Sequence, residues 1–336
     1  MSTFSQNVQK VKDAFEKIKT ALTGKGVTVP DGAKLSDVPA LVDGISTGTP
    51  ALCTFELTYS DGTKTVETTS EGVVRLHQRM SEYSRDVTDV ASRLTGVSIV
   101  ADQDTKYGSA DDMCTGCEQL RSVSLPTGFC NGSGSVVGMF SYCSALESLT
   151  LPEGFGVGAT SARHMFLSCS MLASLHISDG FCVGENGLVR ADGMFYACAS
   201  LTSLKLPAGF GQCISNAEEM FMYCSSLTSL TLPAGFGGQV ASTGDMFCEC
   251  SALEHIVPLD PDLEIGEDGT NGVLCIPVSF SLSDSPLDAD SVAVVIKSLP
   301  AVESAQTLTL SSTAYAHVTD ALRGVANTKN WTVESA

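Results

Sequence analysis

Two cysteine pairs, Cys114-x-x-Cys117 and Cys248-x-Cys250, have the spacing of paired metal ligands, and the chain carries 13 cysteines in all. Zinc requires four converging ligands, and neither a matching second pair nor a histidine pair accompanies them. An odd total also speaks against a complete disulfide framework. The five histidines (His77, His164, His176, His255 and His317) are scattered. No serine–histidine–acid set, carboxylate cleft or phosphate-binding loop can be assembled from the sequence. One acidic cluster, Asp260-Pro261-Asp262-Leu263-Glu264 with Glu267, Asp268 and Asn271, breaks the calcium-loop spacing because its sixth place is not glycine. It reads as a solvated loop, with calcium as the alternative. The chemistry therefore points to no catalytic residue, no cofactor and no metal site.

The elements that position these residues come from a repeat. Met139, Met165, Met194, Met220 and Met246 each precede a phenylalanine or its equivalent, with Met113 one unit earlier, at intervals of 26, 26, 29, 26 and 26 residues. Cys117, Cys143, Cys169, Cys198, Cys224 and Cys250 follow in phase. Leu120, Leu146, Leu172, Leu201, Leu227 and Leu253 come next, then Val123, Leu149, Leu175, Leu204, Leu230 and Ile256. Self-similarity at a fixed period is the signature of a stacked-coil architecture. A weaker copy at Leu94, Val97 and Ile99 starts the array near residue 87.

One unit reads Met-Phe-x-x-Cys-x-x-Leu-x-Ser-Leu-x-Leu-Pro-x-Gly-Phe. Its Leu-x-Leu alternates apolar with polar residues, as a strand with one buried face does. Pro152, Pro207 and Pro233 lack a backbone donor and end that strand. A single coil cannot close a core, whereas stacked coils with parallel strands can. The six in-phase cysteines should then stack in the core as small apolar side chains. Cys114 stands where the other units have Phe, and Cys248 merely takes one place after Met-Phe. Cys130 and Cys182 share a later phase two coils apart, too far for a bond along the stack.

This pattern resembles the BspA-type leucine-rich repeats of bacterial surface proteins, over about residues 87–258. The resemblance implies a mainly-β repeat solenoid presenting an open parallel sheet, in a family whose members with assigned roles are mostly adhesins. Four regions are expected: an N-terminal helical segment (1–46), a hairpin–helix cap (51–86), the solenoid (87–275) and an α/β C-terminal cap (276–336).

In the first region Phe4, Val8, Val11, Phe15, Ile18 and Leu22 form a heptad stripe ended by Gly24. Either a short coiled coil that makes a homo-oligomer, with a trimer among its symmetries, or an amphipathic helix packed on its own domain fits this stripe. Residues 25–45 are similar to short N-terminal segments of phage tail and fibre proteins. The C-terminal tail resembles segments attached to such repeats in phage and gut-bacterial proteins. In that tail the pattern predicts strands at 279–282 and 307–310 and helices at 290–299 and 313–327. In the cap, Cys53, Phe55, Leu57 and Tyr59 alternate ahead of an Asp61-Gly62 turn, and Val73, Leu76, Met80 and Tyr83 lie at helical spacing.

The candidate binding face is the outward side of the sheet. Ser122, Ser148, Ser174, Ser203 and Ser229 share one phase, flanked by Thr150, His176, Lys205 and Thr231. Such a hydroxyl ladder either binds a glycan or protein or simply solvates the sheet. Charged residues form only 17% of the chain, yet 38 acidic against 19 basic residues leave a net charge of −19. That field repels phosphate backbones and anionic lipid, so nucleic-acid binding and membrane insertion are not expected. No apolar stretch is long enough to span a bilayer. Met1 to Asn7 does not read as a secretory signal. The expectation is a non-enzymatic virion component that contacts other virion proteins and a host-surface glycan or protein. A bacterial cell-surface adhesin is the alternative.

Overall fold

The computed structural model describes residues 16, 17, 19, 53–69, 92–101, 110–132, 134–181, 189–266, 269 and 271–336. The chain divides into two units, Met1–Leu52 and Cys53–Ala336. In the first unit Glu16, Lys17 and Lys19 are helical, and the Lys19 ammonium meets the Glu16 carboxylate at 2.9 Å. The heptad residues Phe4, Val8, Val11, Phe15, Ile18 and Leu22 lie outside the described residues, as do Val73, Leu76, Met80, Tyr83 and Cys182.

The second unit opens with an antiparallel hairpin, β1 (Cys53–Tyr59) and β2 (Lys64–Thr69). Its turn is closed by the Asp61 carboxylate, which accepts from the Thr63 amide at 2.9 Å, and by Gly62 at φ 81°. Cys53, Phe55 and Leu57 put one face of β1 into the core. The other edge of β1 pairs antiparallel with β3 (Leu94–Ala101), and β3 pairs parallel with β4 (Ser122–Ser124). The hairpin thus covers the open edge of the first coil, where unpaired backbone groups would otherwise recruit another strand.

From there each repeat contributes one short parallel strand: β5 (Ser148–Leu151), β6 (Ser174–Ile177), β7 (Ser203–Lys205), β8 (Ser229–Leu232) and β9 (His255–Pro258). Register keeps the repeat phase, with Leu149 opposite Leu175 and Leu204 opposite Leu230. The sheet is not one continuous ladder. It falls into β2-β1-β3-β4, β5-β6 and β7-β8-β9.

What runs on without a break is the turn that carries Met-Phe-x-x-Cys. The amides of Cys114, Phe140, Phe166, Phe195 and Phe221 donate to the carbonyls of Met139, Met165, Met194, Met220 and Met246, each at 2.8–2.9 Å. Two left-handed residues shape every such turn. The residue before Met (Asp112, Gly138, His164, Gly193, Glu219, Asp245) has φ of 54–60°. The residue before Cys (Gly116, Tyr142, Ser168, Ala197, Tyr223, Glu249) has φ of 56–75°. A non-glycine residue in that region costs about 1–2 kcal/mol, which the inter-coil hydrogen bonds, each contributing about 0.5–1.5 kcal/mol net, offset. A third seam of single parallel bridges joins Ser135, Ser161, Arg190, Asn216 and Ser242.

The core between these seams is columnar. Phe140, Phe166, Phe195, Phe221 and Phe247 stack at 5.4–5.8 Å between centroids with interplanar angles of 6–11°. Phe129, Phe155, Phe181, Phe210 and Phe236 form a second column at 5.7–6.3 Å. The 29-residue unit keeps both columns in phase.

After the array come β10 (Phe280–Leu282), α1 (Ala289–Ser298), β11 (Gln306–Leu310), α2 (Ser312–Tyr315), α3 (Asp320–Thr328) and β12 (Trp331–Ser335). The three strands form a parallel sheet in the order β10-β11-β12. Asp288 caps α1 by accepting from the Ser291 amide, and it also meets His255 Nδ1 on β9 at 2.9 Å. Ser291 Oγ accepts from the Ile256 amide at 2.9 Å, so α1 occupies the last edge of the repeat sheet. The sequence pattern predicts one helix over 313–327, but two form. Ser311 and Thr319 each cap a separate start, accepting from the Ala314 and Leu322 amides at 3.2 Å, so the chain turns between Ala316 and Thr319.

Candidate functional site

On the sheet, Leu149, Leu175, Leu204 and Leu230 point inward and the alternating residues point out. Ser122, Ser148, Ser174 and Ser203 are exposed and Ser229 is half-buried. Thr150, His176 and Lys205 are exposed and Thr231 is half-buried. Pairing sets Ser148 beside Ser174 and Thr150 beside His176 on one sheet segment, and Ser203 beside Ser229 and Lys205 beside Thr231 on the next. A hollow of about 620 Å³ lies beside β6 and β7. His176 and Lys205 line it with Glu153, Asp179, Ile177 and Pro207. It offers both signs of charge on an apolar floor, which suits a polar partner laid across the coils.

The in-phase cysteines are not the surface they might have been. Cys114, Cys117, Cys143, Cys169, Cys198, Cys224 and Cys250 are free and buried. Burial raises the Cys169 and Cys224 thiols to about 12, and it also pushes Cys143, Cys198 and Cys250 up. Their role is more than filling space. Five of these thiols donate to a carbonyl of the coil before: Cys143 to Cys114, Cys169 to Phe140, Cys198 to Phe166, Cys224 to Phe195 and Cys250 to Phe221, at 3.1–3.3 Å.

A second exposed feature lies on the turn face. Tyr142 and Tyr223 are 52% and 42% exposed. The Tyr196 ring meets Tyr223 edge-on at 5.5 Å. Partial burial raises the Tyr196 phenol, with Tyr223, Glu219 and Tyr142 adding to the shift. Sequence reasoning missed this group because Tyr196 sits one place earlier in its unit than Tyr142 and Tyr223 do in theirs. The shared phase of Tyr142 and Tyr223 was the available signal.

Among the described residues, no three histidine, cysteine or acidic side chains converge as metal ligands. The acidic loop closes on itself, with Asp260 accepting from the Asp262 amide at 3.0 Å and the Glu264 carbonyl from Asn271 Nδ2 at 3.2 Å. Glu267 and Asp268 lie outside the described residues. Among the described residues no helix is long and apolar enough to cross a membrane.

Stacked coils that each give one parallel strand and one inward leucine column define a leucine-rich-repeat protein, a class built as a binding scaffold. Residues 110–186 and 164–268 match the family model of the BspA type leucine-rich repeat region, in six copies, and this array belongs to that family. No curated protein and no solved structure matches the chain.

Proposed function

We propose that this chain is a non-enzymatic attachment protein that lays its repeat sheet against a glycan or protein of a host cell surface. The observation that carries the reading is the outward row of Ser148, Thr150, Ser174, His176, Ser203 and Lys205, exposed in two registered segments around an open hollow. A wide, shallow, polar face suits extended contacts rather than enclosure of a small substrate.

Within that reading the chain is a phage tail or fibre component. Its support is the similarity of residues 25–45 and of the C-terminal tail to phage proteins. The heptad stripe from Phe4 to Leu22 is the assembly element, which holds several copies on one stem and turns weak contacts into avidity. It docks on itself and on other virion proteins. The family match favours a second reading, a bacterial surface adhesin of the same type.

Deleting residues 1–24 tests the assembly part. Light scattering should give an oligomer for the whole chain and a folded monomer for the deletion, and the monomer should lose tight retention on cells or particles. An intact chain that is already monomeric, and that no particle or cell surface retains, would sink the proposal.

A further inference from the structure

One turn departs from the rest of the array. In five coils the turn puts a phenylalanine ring and a thiol into the core three residues apart, as at Phe140 and Cys143. In the first coil the ring is replaced by a second thiol, Cys114, beside Cys117. Cys114 takes the same backbone place as the later phenylalanines, its amide donating to Met139 as that of Phe140 donates to Met165.

The geometry of the pair is set by the backbone. The Cys117 amide donates to the Cys114 carbonyl at 3.1 Å, as the Cys143 amide does to Phe140. A turn closed in this way holds its end Cα atoms within about 7 Å, and disulfides span about 4.4–6.8 Å. Gly116, at φ 75° with open space around it, leaves the turn free to adjust. Both side chains are buried on the same turn, Cys114 at 0% and Cys117 at 4% exposure. The stacked thiols of later coils differ, because each is engaged by a carbonyl of the coil before it.

We propose that Cys114 and Cys117 are a dithiol–disulfide pair, a covalent modification site that closes where the chain meets a small-molecule disulfide. Cys117 is the attacking thiol. It is the more exposed of the two, at 4% against 0%. The neighbouring Cys114 thiol lowers its pKa, while Cys117 and burial raise that of Cys114. The Cys117 thiolate attacks one sulfur of oxidised glutathione, forming a mixed disulfide and releasing one glutathione. Cys114 then loses its proton to solvent and attacks the Cys117 sulfur, and the second glutathione leaves. Two protein thiols are oxidised and one glutathione disulfide is reduced to two thiols.

The closed pair pins the first coil of the matched array in an oxidising compartment and releases it in a reducing one. The site stands on the turn geometry and does not depend on the attachment reading.

The test equilibrates the full chain in graded reduced and oxidised glutathione, from the native state and by refolding from urea. Acid quench, alkylation in denaturant and peptide mapping then count the thiols. Two of the 13 cysteines should escape alkylation at the oxidising end, both within the peptide holding 114 and 117. Amide exchange over residues 110–117 should slow in that form. Cys114→Phe, which restores the residue of the other five coils, should fold and show no internal disulfide. If all cysteines are alkylated in the most oxidising buffer by both routes, or if the protected pair maps elsewhere, the proposal is wrong. Approach by refolding removes burial of the thiols as an explanation for failure.

Discussion

Cys169 Sγ donates to the Phe140 carbonyl at 3.1 Å, and that carbonyl also accepts the Cys143 amide that closes its own turn. The thiol therefore ties one coil's turn to the next coil's side chain, and the same link recurs up the array. Thiolate formation breaks this donor and places a charge in the core.

An alkaline loss of stability follows. Burial raises Cys169 and Cys224 from 9.0 to about 12, and Cys143, Cys198 and Cys250 move the same way. A group with a raised folded pKa gives its full stabilisation below the unfolded value and loses it as pH climbs through the folded value. Each such thiol adds a slope of up to about 1.4 kcal/mol per pH unit. Cys117 shifts down instead, so its contribution grows as pH rises toward the ordinary value of 9.0 and is complete only above it. The urea midpoint should hold near pH 8 and fall steadily from 9 to 11, less steeply in Cys169→Ala. A flat profile would contradict the buried-donor reading.

The sheet phase gives a sharper contrast. Leu175 is 8% exposed and Ser174, its neighbour, faces solvent. Leu175→Ala should cost about 2–5 kcal/mol, whereas Ser174→Ala should stay within about 0.5 kcal/mol. Chemical denaturation of the two variants decides it, and equal effects would mean the inward and outward rows are reversed.

Two turn residues are coupled across coils. Gly193 has φ 58°, and a Cβ built on it falls 2.5 Å from His164 Cδ2 in the coil before. Gly193→Ala should destabilise by about 1–3 kcal/mol. In a His164→Ala background the steric part disappears and only the backbone part remains. A double-mutant cycle should give a coupling of at least about 0.5 kcal/mol. Simple additivity would show that the ring gives way freely.

The fold was readable because its apolar residues repeat: Leu149, Leu175, Leu204 and Leu230 recur in a phase that only stacked strands satisfy. The cysteine column was readable as buried for the same reason. Its hydrogen bonds were not, because a thiol at a core phase gives no sign of which carbonyl lies one coil below. The left-handed turns were hidden too. Asp112, His164, Glu219 and Asp245 share a place with Gly138 and Gly193, and only those two glycines hint at φ above zero. The hollow beside His176 and Lys205 follows from no single residue type and appears only once the coils are stacked.

That hollow carries the last prediction. If the sheet is the contact face, its centre is where the outward row meets a depression, because contacts that exclude water dominate binding. His176 and Lys205 line it from adjacent coils and leave the core untouched. Replacing both with alanine should leave the melting temperature unchanged. Retention on cells or receptor-coated beads should fall at least about tenfold, a loss of about 1.4 kcal/mol. Tyr142→Ala with Tyr223→Ala is the matched change on the turn face, where both rings are exposed. Retention that survives the sheet variant and collapses in the tyrosine variant would move the contact face to the turns and refute the sheet as the binding surface.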